Sequence, residues 1–597
     1  MSDCPPIGAY AFLSDCHTGA LVGPDGAVEW MCAPRFDAPS LFARLLDRRG
    51  GGAWELTVDG ASVRERRYLD ETLVLRTRWE GPDGVVAVHD FLATTGDGGL
   101  EPVHRLVRLA TCERGRALVR SRVLARPGYA TRDARWTRRD DTLVEDDGAV
   151  LTGPPEASLR EGESVAFTLA YTGERAPADA HALLDETVRS WRSWSARSGY
   201  SGVGAAEVRQ SAVVLRGLLY DETGALLAAP TTSLPEWPGG PRNWDYRYAW
   251  QRDCALTVLA LLRLDHREEA GRYLRFVLDR CASCHDRLPP MFAVDGGEVA
   301  RETTLGHLDG YAGSRPVRVG NDGFHQHQLD GYGHVLDAAL AYHDVTGDLT
   351  GDELDSLWRL VDQCAARWRE PGDGPWEVRH NPRHWTYTTL YAWVCFDRAV
   401  RLAEATGSTG APIDAWRRER DAARDEILTR GFDREIGAFT QSYGSPDADA
   451  SLLRVPLVGF LDCRDPRVLG TLDHIQARLG EGGALVHRYD PDATGDGVDG
   501  PEGAFLMCSF EMVSALVLAG RTAEARDRFE TLCARARPLG LFAEEMAADG
   551  AMLGNYPQAF THLALIEAAL NLDAAGHTDA LHDWASQARD KVVGRRA

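Results

Sequence analysis

The stretch Asn243-Trp244-Asp245-Tyr246-Arg247-Tyr248-Ala249-Trp250-Gln251-Arg252-Asp253 ends where an amphipathic segment, residues 255–264, begins. Aromatic, arginine and acid side chains therefore gather at a helix start. Related clusters stand at Trp376-Glu377-Val378-Arg379 and at Phe542-Ala543-Glu544-Glu545, in loops or beside other helix starts. From residue 205 onward the apolar residues recur with helical spacing. Candidate helices are 208–220, 255–264, 268–280, 325–346, 354–369, 388–406, 413–429, 466–478, 504–519, 523–534, 557–572 and 577–591. Helices in pairs fit a closed double ring, an α/α barrel. One barrel mouth could collect all three clusters from its loops.

Ahead of the helices the pattern is different. Short runs rich in β-branched residues, 27–31, 72–77, 85–90, 103–111, 117–124 and 165–171, are separated by Gly, Asp and Pro turns. That spacing predicts a β-sandwich. Between the two regions, residues 182–197 read as a linker helix, with Leu184, Val188, Trp191 and Trp194 on one stripe. The expected division is a β-sandwich domain at 1–180, a linker at 181–204 and the barrel at 205–597.

The chain has 597 residues, enough for two cores, and its hydrophobic content is 44%. Mean hydropathy is −0.30 and the pI is about 5.3. The formal charge of −23 repels phosphate backbones and anionic membranes, so nucleic acid and membrane are not expected partners. Lys591 is the only lysine. Chemistry built on a Schiff-base or phosphate-loop lysine is excluded unless the C-terminal tail folds back. Met1 to Pro6 carries no basic segment followed by an apolar run, and no 18-residue apolar stretch occurs, so a cytoplasmic location is expected. The twelve cysteines are scattered, as buried reduced thiols are. Cys281-Ala282-Ser283-Cys284-His285 has the spacing of a haem-attachment motif. It sits at a helix end with no second CxxC, which disfavours haem or zinc. No metal site is expected. Residues 490–499 resemble a calcium loop, but Pro501 stands where the bidentate Glu belongs, and a solvated acidic loop is the expectation. His325 and His327 are two apart on a predicted helix and so do not share a face.

The clusters themselves suggest sugar chemistry. Aromatic faces stack on sugar rings, and Asp and Arg exchange hydrogen bonds with hydroxyls. Two separate glutamates can divide acid and base duties across a glycosidic bond. The competing reading of Glu377 is an ion pair with Arg379 or Arg383. Trp376 beside it could instead wall off water and raise its pKa. Glu544 and Glu545 are adjacent and point to different sides, so one is a candidate base and the other structural. Arg252 and Asp253 could simply be a helix-terminal ion pair. The flanking aromatics favour sugar binding.

These stretches resemble glycoside hydrolase family 15, which includes glucoamylases and bacterial trehalases. Supporting runs are 7–12, 34–40, 313–321 and Gly554-Asn555-Tyr556-Pro557-Gln558-Ala559-Phe560. The resemblance implies an (α/α)6 barrel behind an N-terminal β-sandwich and an inverting, exo-acting hydrolase of α-glucosides. It implies Glu377 as general acid and Glu544 as general base. Tyr246, Trp250, Arg252, Asp253, Trp376 and Arg488 would form the substrate pocket. His334, Glu511 and Met546-Ala547 depart from the family pattern and would bear on the aglycone side. The expected partner is a small carbohydrate, with trehalose leading and maltooligosaccharides as the glucoamylase-type alternative. A carbohydrate-binding barrel without turnover is the alternative of another class. No cofactor is implied, although the trehalase branch would bring phosphate and magnesium into the assay.

Overall fold

The structure is a computed structural model and describes residues 4–172, 179–284, 287–379 and 381–575. The N-terminal region is a β-sandwich of antiparallel strands, whose two sheets share one long strand, Glu101–Leu124. This corrects the expectation of two strands at 103–111 and 117–124. Gly115 is the point where the strand turns from one sheet to the other. Its φ is +74°, and a Cβ there would meet Asp83 O at 2.2 Å. The first half pairs with Gly84–Thr95 and Ser164–Ala170, the second with Ala53–Val58 and Glu156–Arg160.

The helix Ala180–Ser195 covers one face of this sandwich. Asp179 caps it by accepting from His181 N and Ala182 N. Ala180, Leu184 and Val188 pack on Phe91, Val107 and Leu109. The same helix reaches the barrel. Trp194 Nε1 donates to Glu269 Oε1 at 2.6 Å, and its ring stacks on His266 at 4.0 Å. Burial thus explains both ends of the predicted stripe: one end serves the sheet, the other the barrel.

The barrel is an (α/α)6 double ring. Its outer helices are Ala205–Leu218, Arg267–Ser283, Gly351–Arg367, Ile413–Glu426, Pro466–Leu479 and Thr522–Ala534. The inner elements are Arg252–Arg263, Asp330–Thr346, Thr386–Thr406, Ala450–Leu457, Leu506–Leu518 and Ala559–Ala574. Composition separates the rings. Every residue of Leu506–Leu518 is buried, whereas Ile413–Glu426 buries only Trp416 and Ala423. A helix apolar all round belongs inside, and one with a single apolar stripe belongs outside.

Two helix assignments need correction. The fourth inner element, Ala450–Leu457, is a 3-10 turn followed by one helical turn, too short to show a period. The candidate at 577–591 lies outside the described residues. The predicted helix 325–346 begins at Asp330, after a 3-10 turn at Asp322–His325, and His327 lies in the loop between. Gly333 lets this inner helix touch the next: a Cβ would stand 2.1 Å from Tyr391 O.

Arg247, from the middle of the first cluster, faces the β-sandwich rather than the barrel mouth. Its guanidinium pairs with Asp245 at 2.6–2.8 Å and donates to Ala38 O at 3.0 Å and Tyr129 OH at 2.9 Å. No described helix is long and apolar enough to cross a membrane.

Candidate active site

Each inner helix is entered from its outer partner by a long loop, while the return connections are short. The long loops therefore all open at the N-terminal ends of the inner helices. Five of them line one pocket. The sixth supports it: Asp449 accepts from Trp376 Nε1 at 2.9 Å. The side chains expected to act in catalysis and substrate binding all line this pocket: Glu377, Glu544, Tyr246, Trp250, Arg252, Asp253, Trp376 and Arg488.

Glu377 is held by two donors on one oxygen. Trp250 Nε1 reaches Oε1 at 2.7 Å, and Arg252 Nη2 reaches it at 3.1 Å. Oε2 has no hydrogen-bond partner among the described residues. Arg379 instead pairs with Glu302 at 3.0 Å, and Arg383 donates to Thr494 O at 2.8 Å. The local ion-pair reading is thus replaced by one with Arg252. The Glu377 backbone has φ +60°, in the left-handed region that costs a non-glycine residue about 1–3 kcal/mol. Strain of this kind persists where surrounding contacts over-determine a conformation.

Glu544 is fully buried on the loop before the last inner helix. Tyr246 OH donates to its Oε1 at 2.6 Å, and Oε2 has no partner. The rings that hold the two carboxylates form a pair: Tyr246 and Trp250 meet edge to face, centroids 5.5 Å apart. Burial, with the neighbouring Glu236 charge, pushes Glu544 up to about 8. Glu545 turns away from the pocket and accepts from Gly503 N at 2.8 Å. The adjacent pair is therefore split, with Glu544 on the pocket side.

Asp253 opens the helix Arg252–Arg263. It makes no ion pair with Arg252, and both its carboxyl oxygens are buried without a partner. Burial raises it to about 7. Unsatisfied buried acceptors beside a cavity are suited to take hydroxyl donors from a ligand. Trp376 packs its ring on Tyr489 and Phe505.

Arg488 sits among carboxylates. It bonds Glu502 through Nε at 3.0 Å and through a closer Nη2 contact, reaches Glu236 at 3.3 Å and lies 3.8 Å from Glu545. Glu236, Glu502 and Glu545 are the one trio of described carboxylates close enough to share a cation, with oxygens within 4.8 Å of one another. The Arg488 guanidinium already serves all three. Arg242 adds a second guanidinium, 2.7 Å from Asp496 and 3.5 Å from Glu502. Asp496 is buried in the pocket wall and also accepts from Tyr489 OH at 2.8 Å. The loop 490–499 is thus partly structural, not the solvated acidic loop expected.

Sequence reasoning missed Glu236, Arg242 and Glu502, which carry no local pattern. His334 and Glu511 do not line the pocket. His334 stacks on Tyr391 at 3.9 Å and bonds Tyr387 OH at 3.0 Å, while Glu511 faces Arg454 at 3.4 Å. Both lie buried in the barrel core, so neither touches the aglycone side. Of the cysteine motif, Cys281 is buried at the end of an outer helix, the Cys284 thiol donates to Arg280 O at 3.3 Å, and His285 lies outside the described residues.

Gly554 makes room for Glu544. Its φ is +74°, and a Cβ would stand 2.5 Å from Glu544 Oε2 and 2.8 Å from Glu544 Cβ. Gly554→Ala is expected to displace Glu544 and to cost about 1–3 kcal/mol of stability in backbone strain. Chemical denaturation should register the second effect. A variant with native stability and an unmoved Glu544 in a crystal structure would contradict the steric reading.

A helical double ring with paired carboxylates at its mouth is the architecture of a glycoside hydrolase. Residues 205–570 match the family model described as glycosyl hydrolases family 15, and residues 2–189 match the model for a trehalase-like N-terminal domain. The chain belongs to glycosyl hydrolases family 15. It is 38% identical to a trehalase of Mycolicibacterium smegmatis, over 95% of this chain and 91% of that protein. It is 32% identical to a trehalase of Thermoplasma volcanium, over 96% and 94% of the two chains. A bacterial glucoamylase complexed with acarbose has the same fold, with TM-score 0.66, 12% identity, and coverage of 98% of this chain and 97% of that one.

Proposed function

We propose that this chain hydrolyses a small α-glucoside, with trehalose as the leading substrate, by an inverting, exo-acting mechanism. The observation that carries the reading is the pair Glu377 and Glu544. They face one pocket from different loops, each fixed by one ring of the Tyr246–Trp250 pair. In this reading Glu377 is the general acid. Its Oε1 is occupied by donors, which leaves Oε2 to carry the proton to the glycosidic oxygen. Glu544 is the general base, and its unpartnered Oε2 accepts a proton from the attacking water. An inverting enzyme needs the carboxyls about 6.5–9.5 Å apart to admit that water. Asp253 and Arg252 supply an acceptor and a donor for the hydroxyls of the terminal glucose. The full-length similarity to trehalases supports trehalose as the substrate.

The test is a comparison of kcat/KM for trehalose, maltose, isomaltose and maltooligosaccharides in one buffer, with and without phosphate and magnesium. Trehalose should lead. Clear preference for longer maltooligosaccharides would replace this reading by a glucoamylase-type one, and activity on none of them would favour a binding role.

A base works ionised, so kcat/KM should rise with pH through its pKa. That acidic limb should lie above the ordinary carboxylate range, because burial and Glu236 both raise Glu544. Glu236→Gln removes a negative neighbour and keeps an acceptor for Trp244 Nε1, which now bonds Glu236 at 2.8 Å. The limb should move to lower pH in this variant. An unmoved limb would mean that another group sets it.

A further inference from the structure

Two pocket-lining residues flank a hairpin whose tip lies outside the pocket lining. Glu236 and Arg242 both line the pocket, and Glu236 N donates to Arg242 O at 3.1 Å. This closes a hairpin whose tip is Trp237-Pro238-Gly239-Gly240-Pro241. Trp237 is 42% exposed and is the one aromatic among the large exposed apolar side chains of the described residues.

Its exposure is not looseness. A turn bond from Gly240 N to Trp237 O, 2.9 Å, fixes the tip. The ring lies against Gly240 and Gly500, where an added Cβ would come within 2.5 and 2.6 Å of it. Gly500 belongs to a second rim loop, which also supplies Asp496 and Val498 to the pocket. Arg242 Nε ties the two loops by donating to Gly500 O at 3.0 Å. The indole is therefore held between two loops of the pocket rim and remains partly open to solvent.

The indole N–H groups of Trp244, Trp250 and Trp376 are already given to Glu236, Glu377 and Asp449. The Trp244 ring is also covered by the guanidinium groups of Arg318 and Arg379, at 4.6 and 4.4 Å. Trp237 Nε1 has no hydrogen-bond partner among the described residues. An immobilised ring with an open surface and a free N–H offers what a sugar presents to an aromatic: CH groups to stack on, and a hydroxyl to accept.

We propose that Trp237 is the stacking platform for the aglycone sugar, and so a specificity-determining residue of the hydrolase. The inference rests on the α-glucoside reading above. The experiment compares wild type, Trp237→Ala and Trp237→Phe on trehalose and on α-glucosyl fluoride, whose leaving group has no ring. The quantity read is the ratio of the two kcat/KM values. Trp237→Ala should lower that ratio about tenfold, chiefly through KM for trehalose, and Trp237→Phe should restore most of it. An unchanged ratio in Trp237→Ala would overturn the proposal. So would equal losses on both substrates, which would make Trp237 only a clamp between the loops. Wild type that hydrolyses neither substrate would instead sink the α-glucoside reading on which this one stands.

Discussion

Glu544→Gln is expected to lower kcat/KM by about 10²–10⁴-fold on trehalose and on α-glucosyl fluoride alike. Both substrates need the attacking water to lose a proton, whatever group leaves. Gln has nearly the same shape and can keep the acceptor used by Tyr246 OH, so the pocket should survive. What it lacks is an oxygen able to take a proton. A second readout separates chemistry from damage. Folding raises Glu544 to about 8, so the buried group favours its neutral form. Stability held below the unfolded-state value is then lost as pH rises through the folded value. Gln does not titrate. Between about pH 6 and pH 9 the variant should therefore lose less thermal stability than wild type. Asp253, raised to about 7, keeps contributing a similar slope in both proteins. Full activity in Glu544→Gln would remove the base assignment.

Glu377→Gln should also cost about 10²–10⁴-fold on trehalose, with a different signature. Its defect lies in protonating the leaving oxygen. Fluoride departs without that proton, so α-glucosyl fluoride should be hydrolysed far better than trehalose by this variant. The donors Trp250 Nε1 and Arg252 Nη2 will hold the amide carbonyl and leave the amide nitrogen at the former Oε2 position. Equal loss on the two substrates would mean that Glu377 does something other than supply a proton. The two variants together assign the roles, because only one of them should show the fluoride rescue.

Much of this architecture was legible in the sequence, for identifiable reasons. Inner helices such as Leu506–Leu518 are long, mostly apolar runs and outer helices carry one stripe, so run length marks the first kind and periodicity the second. Ala450–Leu457 escaped because eight residues do not make a period. The strand Glu101–Leu124 was divided because Gly115 reads as a turn, whereas its positive φ bends one continuous strand. Among the site residues, those beside aromatic clusters could be found locally. Glu236, which lines the pocket, and Glu502, which pairs with Arg488 and Arg242, could not, since only the fold brings these groups together. Arg247 lay inside the first cluster and proved to anchor the β-sandwich, because adjacent residues on an extended segment face opposite ways. His334 and Glu511 illustrate the same limit in reverse. Sequence position suggested the pocket, but helix geometry buries both in the barrel core.

The most direct measurement is proton NMR of glucose in the first moments of trehalose hydrolysis, before the anomers equilibrate. Both halves of trehalose are α-linked. Inversion converts the attacked half to β-glucose and releases the other half unchanged as α-glucose. Equal amounts of the two anomers are therefore predicted from the start. Initial α-glucose alone would show retention and contradict the roles given to Glu377 and Glu544.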